Sequence, residues 1–198
     1  MPAVTAVFAS RNEGKLRELR ALIPDWEIEL LGDVEMPEET GLTFYDNAAA
    51  KARFAQAAEP GRWAIGEDSG LEVDGLDGAP GIRSARFAGD DATDEENVAK
   101  LLESLAGVEG PRRAAHYVSE LVVLTPDGSE LRGTGTLEGE IAEEPRGSGG
   151  FGYDPVFVPA GESRTVAELG DEWKRGHSHR AAATRDLLAR VGEPPQEM

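Results

Sequence analysis

The chain has no cysteine, and this absence excludes disulfides, a thiol nucleophile and zinc or iron–sulfur sites ligated by cysteine. No apolar run approaches the roughly 18 residues that a membrane span requires, so we expect no membrane partner. The opening MPAVTAVFASRNEGK lacks a basic start followed by a long apolar core, which argues against a secretory signal. We therefore expect a cytoplasmic protein.

Positive charge is also scarce. The 198 residues include 38 aspartates and glutamates against 20 lysines and arginines, which gives a formal net charge of −18. Such a surface repels phosphate backbones, so we expect no nucleic-acid partner. A small anionic ligand is still allowed, because the fields of exposed charges fade over about 8 Å at physiological salt. The four lysines are Lys15, Lys51, Lys100 and Lys174, and their rarity makes their positions informative.

The apolar pattern predicts an α/β fold with a mixed sheet, in one domain over residues 1–198. The run AVTAVFAS, the helical pattern of RNEGKLRELRALI and the strand WEIELL predict a βαβ unit over residues 4–31. Thr43 and Thr93 are predicted to cap two further helices. Because hydrophobic residues make up 39% of the chain, a core of ordinary size is expected.

The second half of the chain has a different pattern. Apolar and polar residues alternate around the turn TPDGS, which predicts an antiparallel hairpin. TVAEL predicts a single helical turn, and SHRAAATRDLLARV predicts a closing helix. Residues 67–89 are rich in glycine and aspartate, so we expect them to be too polar and too broken for the core.

The motif SRNEGK marks the first junction between a strand and a helix. A helix N-terminus offers unpaired N–H groups and a positive dipole end, which suit a phosphate. Ser10 and Asn12 add hydrogen-bond donors, and Lys15 adds a full charge. Ala9 and Leu16 stand where a Walker A loop needs glycine and serine or threonine, so that loop is excluded. Ordinary capping of the helix is the alternative interpretation.

Carboxylates at the end of a predicted strand, in the motif EDSG, suit Mg²⁺, which prefers oxygen ligands and keeps several waters. Asp68 in this motif is also able to accept a proton from an attacking water. Asn47 and Lys51 lie four residues apart and so share one face of the second helix. An Asx turn at DSG and a solvated lysine are the alternatives, and the following DGLDG is assigned to turns.

Two later segments carry aromatic and basic side chains. GSGGFG matches G-x-G-x-x-G, yet no helix is expected at Gly152 and Pro155 leads into a strand, so a dinucleotide site is rejected. Two aromatic rings and a carboxylate on this glycine loop instead suit a flat base. In KRGHSHR the lysine and arginines oppose a metal cation, whereas their donors suit a phosphate or the acceptor edge of a base. A solvated basic cap is the alternative.

Taken together, these segments predict binding of a nucleoside phosphate and Mg²⁺. Five motifs follow one another along the chain: SRNEGK, EETGLTFYDNAAAKA, DSGLEVDGLDGAPGIRSARFAG, GGFGYDPVF and SHR. In this order and spacing, from about Val4 to Leu188, the chain resembles the inosine/xanthosine triphosphate pyrophosphatases. This is the Ham1/RdgB-like family of noncanonical purine nucleoside triphosphate pyrophosphatases.

The resemblance implies Mg²⁺-dependent hydrolysis of ITP, dITP and XTP to the monophosphate and pyrophosphate, which removes deaminated purines from the nucleotide pool. It implies an elongated mixed α/β fold of two lobes with a substrate cleft between them, and a homodimer. Two functions remain as alternatives. One is a Maf-like or dUTPase-like nucleotide pyrophosphatase of different base specificity, and the other is a nucleotide sensor that does not hydrolyse.

The resemblance also implies a role for each residue of the motifs. The triphosphate loop comprises Ser10, Arg11, Asn12, Glu13, Gly14 and Lys15, and Lys51 is the second phosphate lysine. Glu39 and Asp68 are the metal carboxylates, Asp68 is also the general base, and Ser69 contacts the substrate. The base-side loop comprises Phe151, Gly152, Tyr153 and Asp154, with Phe151 as the stacking ring. The group that recognises the 6-oxo purine comprises Lys174, His179 and Arg180.

Three features depart from the family pattern. Arg11 stands where glycine is common, and Glu67 stands where the first of two paired aspartates is usual. The segment WKRGH before SHR replaces a usual Glu-Lys-Asn pattern, and this change could alter base selectivity or the packing of a lid while keeping Lys174.

Overall fold

The structure, a computed structural model, describes residues 4–32 and 34–191. The strands are β1 (Val4–Phe8), β2 (Trp26–Leu30), β3 (Trp63–Val73), β4 (Ala114–Leu124), β5 (Glu130–Ile141) and β6 (Phe157–Pro159). The helices are α1 (Glu13–Leu22), α2 (Phe44–Ala58), α3 (Asp94–Ser104), α4 (Val166–His177) and α5 (His179–Val191). Short 3-10 turns cover Asp74–Leu76, Gly81–Arg86 and Gly110–Arg113.

The strands form a six-stranded sheet in the order β2-β1-β3-β4-β5-β6. β1 runs parallel to both β2 and β3, whereas β5 and β6 are antiparallel. The predicted βαβ unit is confirmed, with α1 as the crossover between β1 and β2. Strands β4 and β5 are neighbours joined by the TPDGS turn, where the Thr125 N–H donates to the Ser129 carbonyl at 2.9 Å. The predicted mixed α/β fold is confirmed.

The described chain divides into two compact units. Unit 1 comprises the residues up to Asp68, then Ser119–Gly135 and the chain from Arg180, and unit 2 comprises Ser69–Val118 and Thr136–His179. Unit 1 packs Phe8, Leu19, Ile65 and Leu121 with their neighbours on α1 and α5, and a second cluster packs the alanines of α2 against the sheet. The core of unit 2 includes Leu71, Leu101, Tyr117 and Phe157.

Threonine caps fix the starts of three helices. The hydroxyls of Thr43 and Thr93 accept a hydrogen bond from the backbone N–H three residues later. The carboxylates of Asp46 and Glu96 in turn accept one from the backbone N–H of the threonine. This reciprocal arrangement is a capping box, so both predicted caps are confirmed. Thr165 forms the same box at the start of α4.

The expectation that residues 67–89 lie outside the core is wrong. Strand β3 continues to Val73, and Leu71 and Val73 are fully buried within unit 2. Glu67 and Asp68 are also buried within unit 1. Polar strand residues become tolerable inside a protein when other groups satisfy their hydrogen bonds and charges. The local sequence does not reveal those partners, because they come from residues far away along the chain.

The predicted helical turn at TVAEL is longer than expected. It opens a helical segment that reaches His177, interrupted where Gly170 has a φ of 80° and a ψ of −179°. Glycine adopts this backbone conformation without the steric cost of a Cβ. No helix in the described residues is both long enough and apolar enough to cross a membrane.

Candidate active site

The start of α1 is built by the SRNEGK motif. Asn12 is the N-cap, and its Oδ1 accepts from the Lys15 N–H at 3.0 Å, while Ser10 Oγ accepts from the Asn12 N–H at 3.0 Å. Gly14 is buried, and Arg11 and Glu13 are exposed. The residues therefore cap the helix, and the same turn presents the positive end of the helix dipole.

Asp68 lies at the point where β3 faces α2. Its Oδ2 accepts from Asn47 Nδ2 at 3.0 Å, and its Oδ1 lies 3.0 Å from Lys51 Nζ. Asn47 and Lys51 share one face of α2, as their spacing predicts. The sequence analysis placed Asn47 on this face but assigned it no role, because its contact with Asp68 joins residues 21 positions apart in the chain.

Glu39 completes the group around Lys51. Its Oε1 lies 2.5 Å from Lys51 Nζ, so one ammonium joins the carboxylates of Glu39 and Asp68. Asn47 supports the loop that carries Glu39, because its Oδ1 accepts from the Gly41 N–H at 2.9 Å. We call the residues Ser10, Asn12, Lys15, Glu39, Asn47, Lys51, Glu67 and Asp68 the unit 1 cluster.

Burial controls the ionisation of this cluster. It raises the pKa of the Asp68 carboxyl above its ordinary value, even though Lys51 and Lys15 draw the pKa down. Burial lowers the pKa of Lys51, but the charges of Asp68 and Glu39 outweigh burial and hold that pKa above its ordinary value. A carboxylate with a raised pKa is a better proton acceptor for catalysis near neutral pH.

Glu67 is 1% exposed, so its carboxyl group lies in the core of unit 1. Arg180 Nη2 donates to its Oε1 at 2.9 Å, and its Oε2 lies 2.6 Å from Lys15 Nζ. Burial alone would raise the pKa of Glu67, but Arg180 and then Lys15 outweigh it and hold the pKa well below its ordinary value. Glu67 is therefore a buried carboxylate in its charged form.

A close approach of α2 to β3 sets these distances. A Cβ at Gly66 would lie 2.0 Å from the carbonyl oxygen of Ala48 and 2.5 Å from the backbone nitrogen of Ala52. Only a residue without a side chain fits there, so the helix packs directly on the strand. As a result, Asn47 and Lys51 reach Asp68, two residues along the strand from Gly66.

Unit 2 holds the base-side residues predicted from the sequence. The Phe151 N–H donates to Asp154 Oδ2 at 3.0 Å, and Lys174 Nζ lies 2.8 Å from the same carboxylate oxygen. Lys174 Nζ also lies 4.6 Å from the centroid of the Phe151 ring, within the range of a cation–π contact. Tyr153 is buried, and its hydroxyl donates to the Ser84 carbonyl at 2.8 Å, so it supports the loop from beneath.

His179 and Tyr117 form a stacked pair in unit 2. Their ring centroids lie 4.6 Å apart with planes 10° from parallel, and the Tyr117 hydroxyl lies 3.5 Å from Asp154 Oδ1. Sequence reasoning did not find Tyr117, because an aromatic residue on an alternating strand is equally typical of a core. We call Tyr117, Phe151, Asp154, Lys174 and His179 the unit 2 cluster.

The remaining predicted residues lie in both units. Ser69 follows Asp68 in β3 and opens unit 2. Arg180 belongs to unit 1, where its guanidinium is 1% exposed and contacts Glu67 and Glu18. The predicted contact of Arg180 with a base therefore stays a prediction. In the departing WKRGH segment, Trp173 and His177 stack with ring centroids 4.8 Å apart.

The donor set of the unit 1 cluster fits Mg²⁺. Glu39 and Asp68 direct oxygen atoms to one cationic group, the ammonium of Lys51. Mg²⁺ is commonly held by one or two carboxylates together with waters and substrate phosphates. Among residues 4–32 and 34–191, no group of three or more histidine, aspartate or glutamate side chains converges as a closed metal cage. The two carboxylates of Glu39 and Asp68 match this mode of binding, which is shared between protein and phosphate.

The fold and the clusters define a mixed α/β protein with paired carboxylates and lysines suited to phosphoryl chemistry. The Ham1 family model matches residues 6–190. A dITP/XTP pyrophosphatase of Bdellovibrio bacteriovorus is 45% identical over 191 residues, covering 93% of this chain and 96% of its own. One from Escherichia coli is 46% identical over 188 residues, covering 92% and 95%.

Solved structures agree with this match. A Ham1 protein from Staphylococcus aureus has a TM-score of 0.83 at 39% identity and covers 94% of this chain and 97% of its own. A HAM1 protein from Coxiella burnetii has a TM-score of 0.82 at 39% identity and covers 96% and 100%. The chain belongs to the Ham1 family, and the resemblance inferred from the five motifs is confirmed.

Proposed function

We propose that this chain hydrolyses the noncanonical purine nucleoside triphosphates dITP, XTP and ITP to the monophosphate and pyrophosphate. The relatives described above are named dITP/XTP pyrophosphatases. The observation that carries the proposal is the junction of Glu39, Lys51 and Asn47 at the buried Asp68 carboxylate. This group combines a proton acceptor, a phosphate-binding cation and oxygen ligands for a metal.

The triphosphate is bound by the start of α1 and by two lysines. An ammonium has three N–H donors, so Lys15, which contacts the Glu67 carboxylate, retains donors for phosphate. Lys51 Nζ has three oxygen partners, on Glu39, on Asp68 and on the Glu67 carbonyl, so a phosphate oxygen replaces one of them. The N-terminal N–H groups of α1 and its dipole add a fixed positive field. Ser10 and the Nδ2 of Asn12 supply side-chain donors at the same turn. These contacts hold the phosphate chain in line with the attacking water.

Glu39 and Asp68 would hold Mg²⁺, which when bound offsets the negative charge of the phosphate oxygens. Asp68 accepts a proton from the water that attacks the α-phosphorus. The new bond joins the water oxygen to phosphorus, and the bond to the oxygen that bridges the α- and β-phosphates breaks. Pyrophosphate leaves with the electron pair of that bond. Asn47 holds the Asp68 carboxylate in orientation during the proton transfer.

The base is bound by residues of unit 2. Phe151 stacks on its face, while Lys174 and His179 offer donors to the 6-oxo group. Adenine carries a 6-amino group, which is a hydrogen-bond donor. It would face the donors of Lys174 and His179 and leave buried polar groups unpaired. A mismatch of this type lowers kcat/KM by several powers of ten. Ser69 contacts the nucleotide in the same proposal.

The test is pyrophosphate release from dITP, ITP, XTP, dUTP, ATP and GTP, each with and without Mg²⁺. We expect strong release from the first three alone and dependence on Mg²⁺. Activity centred on dUTP would indicate the alternative, a Maf-like or dUTPase-like nucleotide pyrophosphatase of different base specificity. Binding of dITP without release of pyrophosphate would indicate a sensor instead.

A homodimer and a cytoplasmic location belong to the same proposal, supported by the family resemblance and by the composition. Light scattering of the purified chain measures the first, and cell fractionation measures the second. The net charge of −18 supports a small nucleotide rather than a nucleic acid as the partner.

A further inference from the structure

Two positively charged side chains and a hydroxyl surround the carboxylate of Glu67. Its Oε1 accepts from Arg180 Nε at 3.2 Å, from Arg180 Nη2 at 2.9 Å and from Ser119 Oγ at 3.1 Å. Its Oε2 lies 2.6 Å from Lys15 Nζ. Both oxygens thus face cationic protein groups inside unit 1, in contrast to Glu39, whose side chain is 26% exposed.

The charges continue beyond Glu67. Arg180 Nη1 contacts the carboxylate of Glu18, and Glu18 lies three residues after Lys15 on α1. The charges therefore alternate in sign along the series Lys15, Glu67, Arg180 and Glu18. This series begins and ends on α1. It ties α1 to β3 and to α5. Burial alone would lower the pKa of Arg180, but Glu67 and Glu18 outweigh it and raise that pKa, so the group is charged.

We propose that Glu67 and Glu18 are positioning residues for the Lys15 ammonium, Glu67 by direct contact and Glu18 through Arg180 and Glu67, and that Glu67 is not a metal ligand. The inference rests on the proposed function, because it assigns Lys15 to the substrate. Arg180 holds the Glu67 carboxylate, Glu67 holds Lys15, and Glu18 holds Arg180 from the opposite side.

Charge alone and positioning predict different effects on kcat. The substitution Glu67→Gln removes a negative charge beside Lys15, so electrostatics by itself strengthens the attraction for a phosphate chain. Loss of positioning instead leaves the ammonium misplaced by about an ångström, which can cost about 100-fold in rate. A role that only neutralises charge would leave kcat near its wild-type value.

The experiment compares Glu67→Gln, Glu67→Asp and the matched control Glu27→Gln, which alters an exposed glutamate of β2 in the same unit. We expect kcat for dITP to fall about 100-fold in Glu67→Gln, because the reacting groups lose alignment. Affinity for inorganic tripolyphosphate, titrated calorimetrically in EDTA, stays equal or tightens. Glu67→Asp keeps the charge and recovers part of kcat, and Glu27→Gln resembles the wild type.

The dependence of kcat on Mg²⁺ concentration distinguishes positioning by Glu67 from metal ligation by Glu67. If Glu67 held the metal, Glu67→Gln would need more Mg²⁺ and would recover full kcat at saturation. Under our proposal the Mg²⁺ concentration for half-maximal rate is unchanged and the loss of kcat persists at saturation. Full recovery at high Mg²⁺, or a folded Glu67→Gln with wild-type kcat, overturns the inference.

Glu18→Gln tests the same series from its more accessible end, since this side chain is 17% exposed. It is suited to the case in which Glu67→Gln does not fold. We expect an approximately tenfold lower kcat with an unchanged KM, the pattern for an interaction realised only in the transition state. Wild-type kcat in folded Glu18→Gln contradicts the role assigned to Glu18.

A spectroscopic measurement distinguishes failure of this inference from failure of the proposed function. The chain has only four lysines, so their ammonium signals can be resolved by ¹⁵N NMR and Lys15 assigned with Lys15→Met. We expect a protected Lys15 signal in the wild type, lost in Glu67→Gln, weakened in Glu18→Gln and kept in Glu27→Gln. This result stands even if no pyrophosphate is released from dITP, whereas an unprotected Lys15 in an active wild type overturns only the positioning.

Discussion

Asn47 donates from Nδ2 to the Oδ2 of Asp68 at 3.0 Å, deep in unit 1. The other end of the same amide accepts from the Gly41 N–H at 2.9 Å. One buried side chain therefore connects the loop that follows Glu39 to the carboxylate proposed as the general base. The two proposed metal carboxylates share a common support, which makes their relative position depend on this amide.

Replacing Asn47 with leucine keeps the size of the side chain and removes both hydrogen bonds. We expect about 1–3 kcal/mol lower stability and a fall in kcat for dITP of about tenfold, corresponding to about 1.4 kcal/mol in the barrier. Urea unfolding and steady-state kinetics measure the two effects. Asn97→Leu is the control, because Asn97 is also a buried asparagine with two hydrogen-bond partners, both of them backbone groups, and lies in unit 2. It should lose stability and keep kcat, and an equal loss of kcat in both variants would argue against a specific role for Asn47.

Replacing Asp68 with asparagine removes the proton acceptor and one charged oxygen ligand while preserving the shape of the side chain. We expect pyrophosphate release to fall by at least about 10²–10⁴-fold, the typical contribution of a general base. The circular dichroism spectrum should be unchanged. Asp25→Asn, at an exposed residue of the same unit, should retain full activity. Near-wild-type turnover in Asp68→Asn would exclude the assigned role.

Phe151→Leu tests the stacking role of the base-side loop. The loop is held by the backbone N–H of Phe151 on Asp154, so the substitution changes the ring and keeps that hydrogen bond. Stacking of a base on an aromatic ring contributes about 1–3 kcal/mol, so KM for dITP should rise about tenfold or more with little change in kcat. Phe54→Leu, at a partly buried ring of unit 1, is the matched control. If KM is unaffected by Phe151→Leu, the ring does not contact the base.

Glu67 predicts a distinct dependence of stability on pH. Its pKa in the folded chain lies below its ordinary value of 4.5, so the unfolded chain binds a proton that the folded chain does not. The stabilisation is present above about pH 4.5 and is lost as the pH falls towards the lower folded value. At neutral pH, Glu67→Gln should lower the free energy of unfolding by about 3–5 kcal/mol, as expected when one partner of a buried ion pair is removed.

The measurement is denaturant unfolding of wild type and Glu67→Gln across the range from pH 7 to pH 3. The difference between the two should shrink below about pH 4.5, because the wild-type advantage depends on the charged carboxylate. Glu27→Gln should run parallel to the wild type throughout. A constant difference between wild type and Glu67→Gln at every pH would show that the lost stability does not come from ionisation of Glu67.

Gly66→Ala tests the close packing of α2 on β3. The added Cβ would lie 2.0 Å from a backbone oxygen and 2.5 Å from a backbone nitrogen of α2, so the helix must move. We expect destabilisation of about 3 kcal/mol or more and a loss of activity, since the helix carries Asn47 and Lys51. Gly176→Ala on α4 meets nothing within 4 Å and should be neutral or about 0.5–1 kcal/mol more stable. Thermal unfolding that leaves Gly66→Ala equal to wild type would contradict this geometry.

Local signals predicted much of this fold correctly. The threonines at the starts of α2 and α3 form capping boxes, and the apolar periods distinguish the helices from the hairpin strands. These features depend on residues a few positions apart, so they are visible in the chain itself. The five motifs likewise identified the family, because their order and spacing are properties of the sequence.

The error over residues 67–89 has a physical cause. Whether a glutamate can lie in a core depends on the charges that surround it after folding, and Arg180 lies 113 residues from Glu67 along the chain. The same reason explains why Tyr117 was missed, because its stacking on His179 joins residues far apart in sequence.

The sequence by itself determined the succession of strands and helices, the capped helix starts, the family and the supply of carboxylates and lysines. Only the tertiary structure decided which of them meet: Asn47 and Lys51 on Asp68, Glu67 between Arg180 and Lys15, and Lys174 on Asp154. Local propensity acts over a few residues, whereas desolvation and ion pairing depend on neighbours that the folded chain brings together.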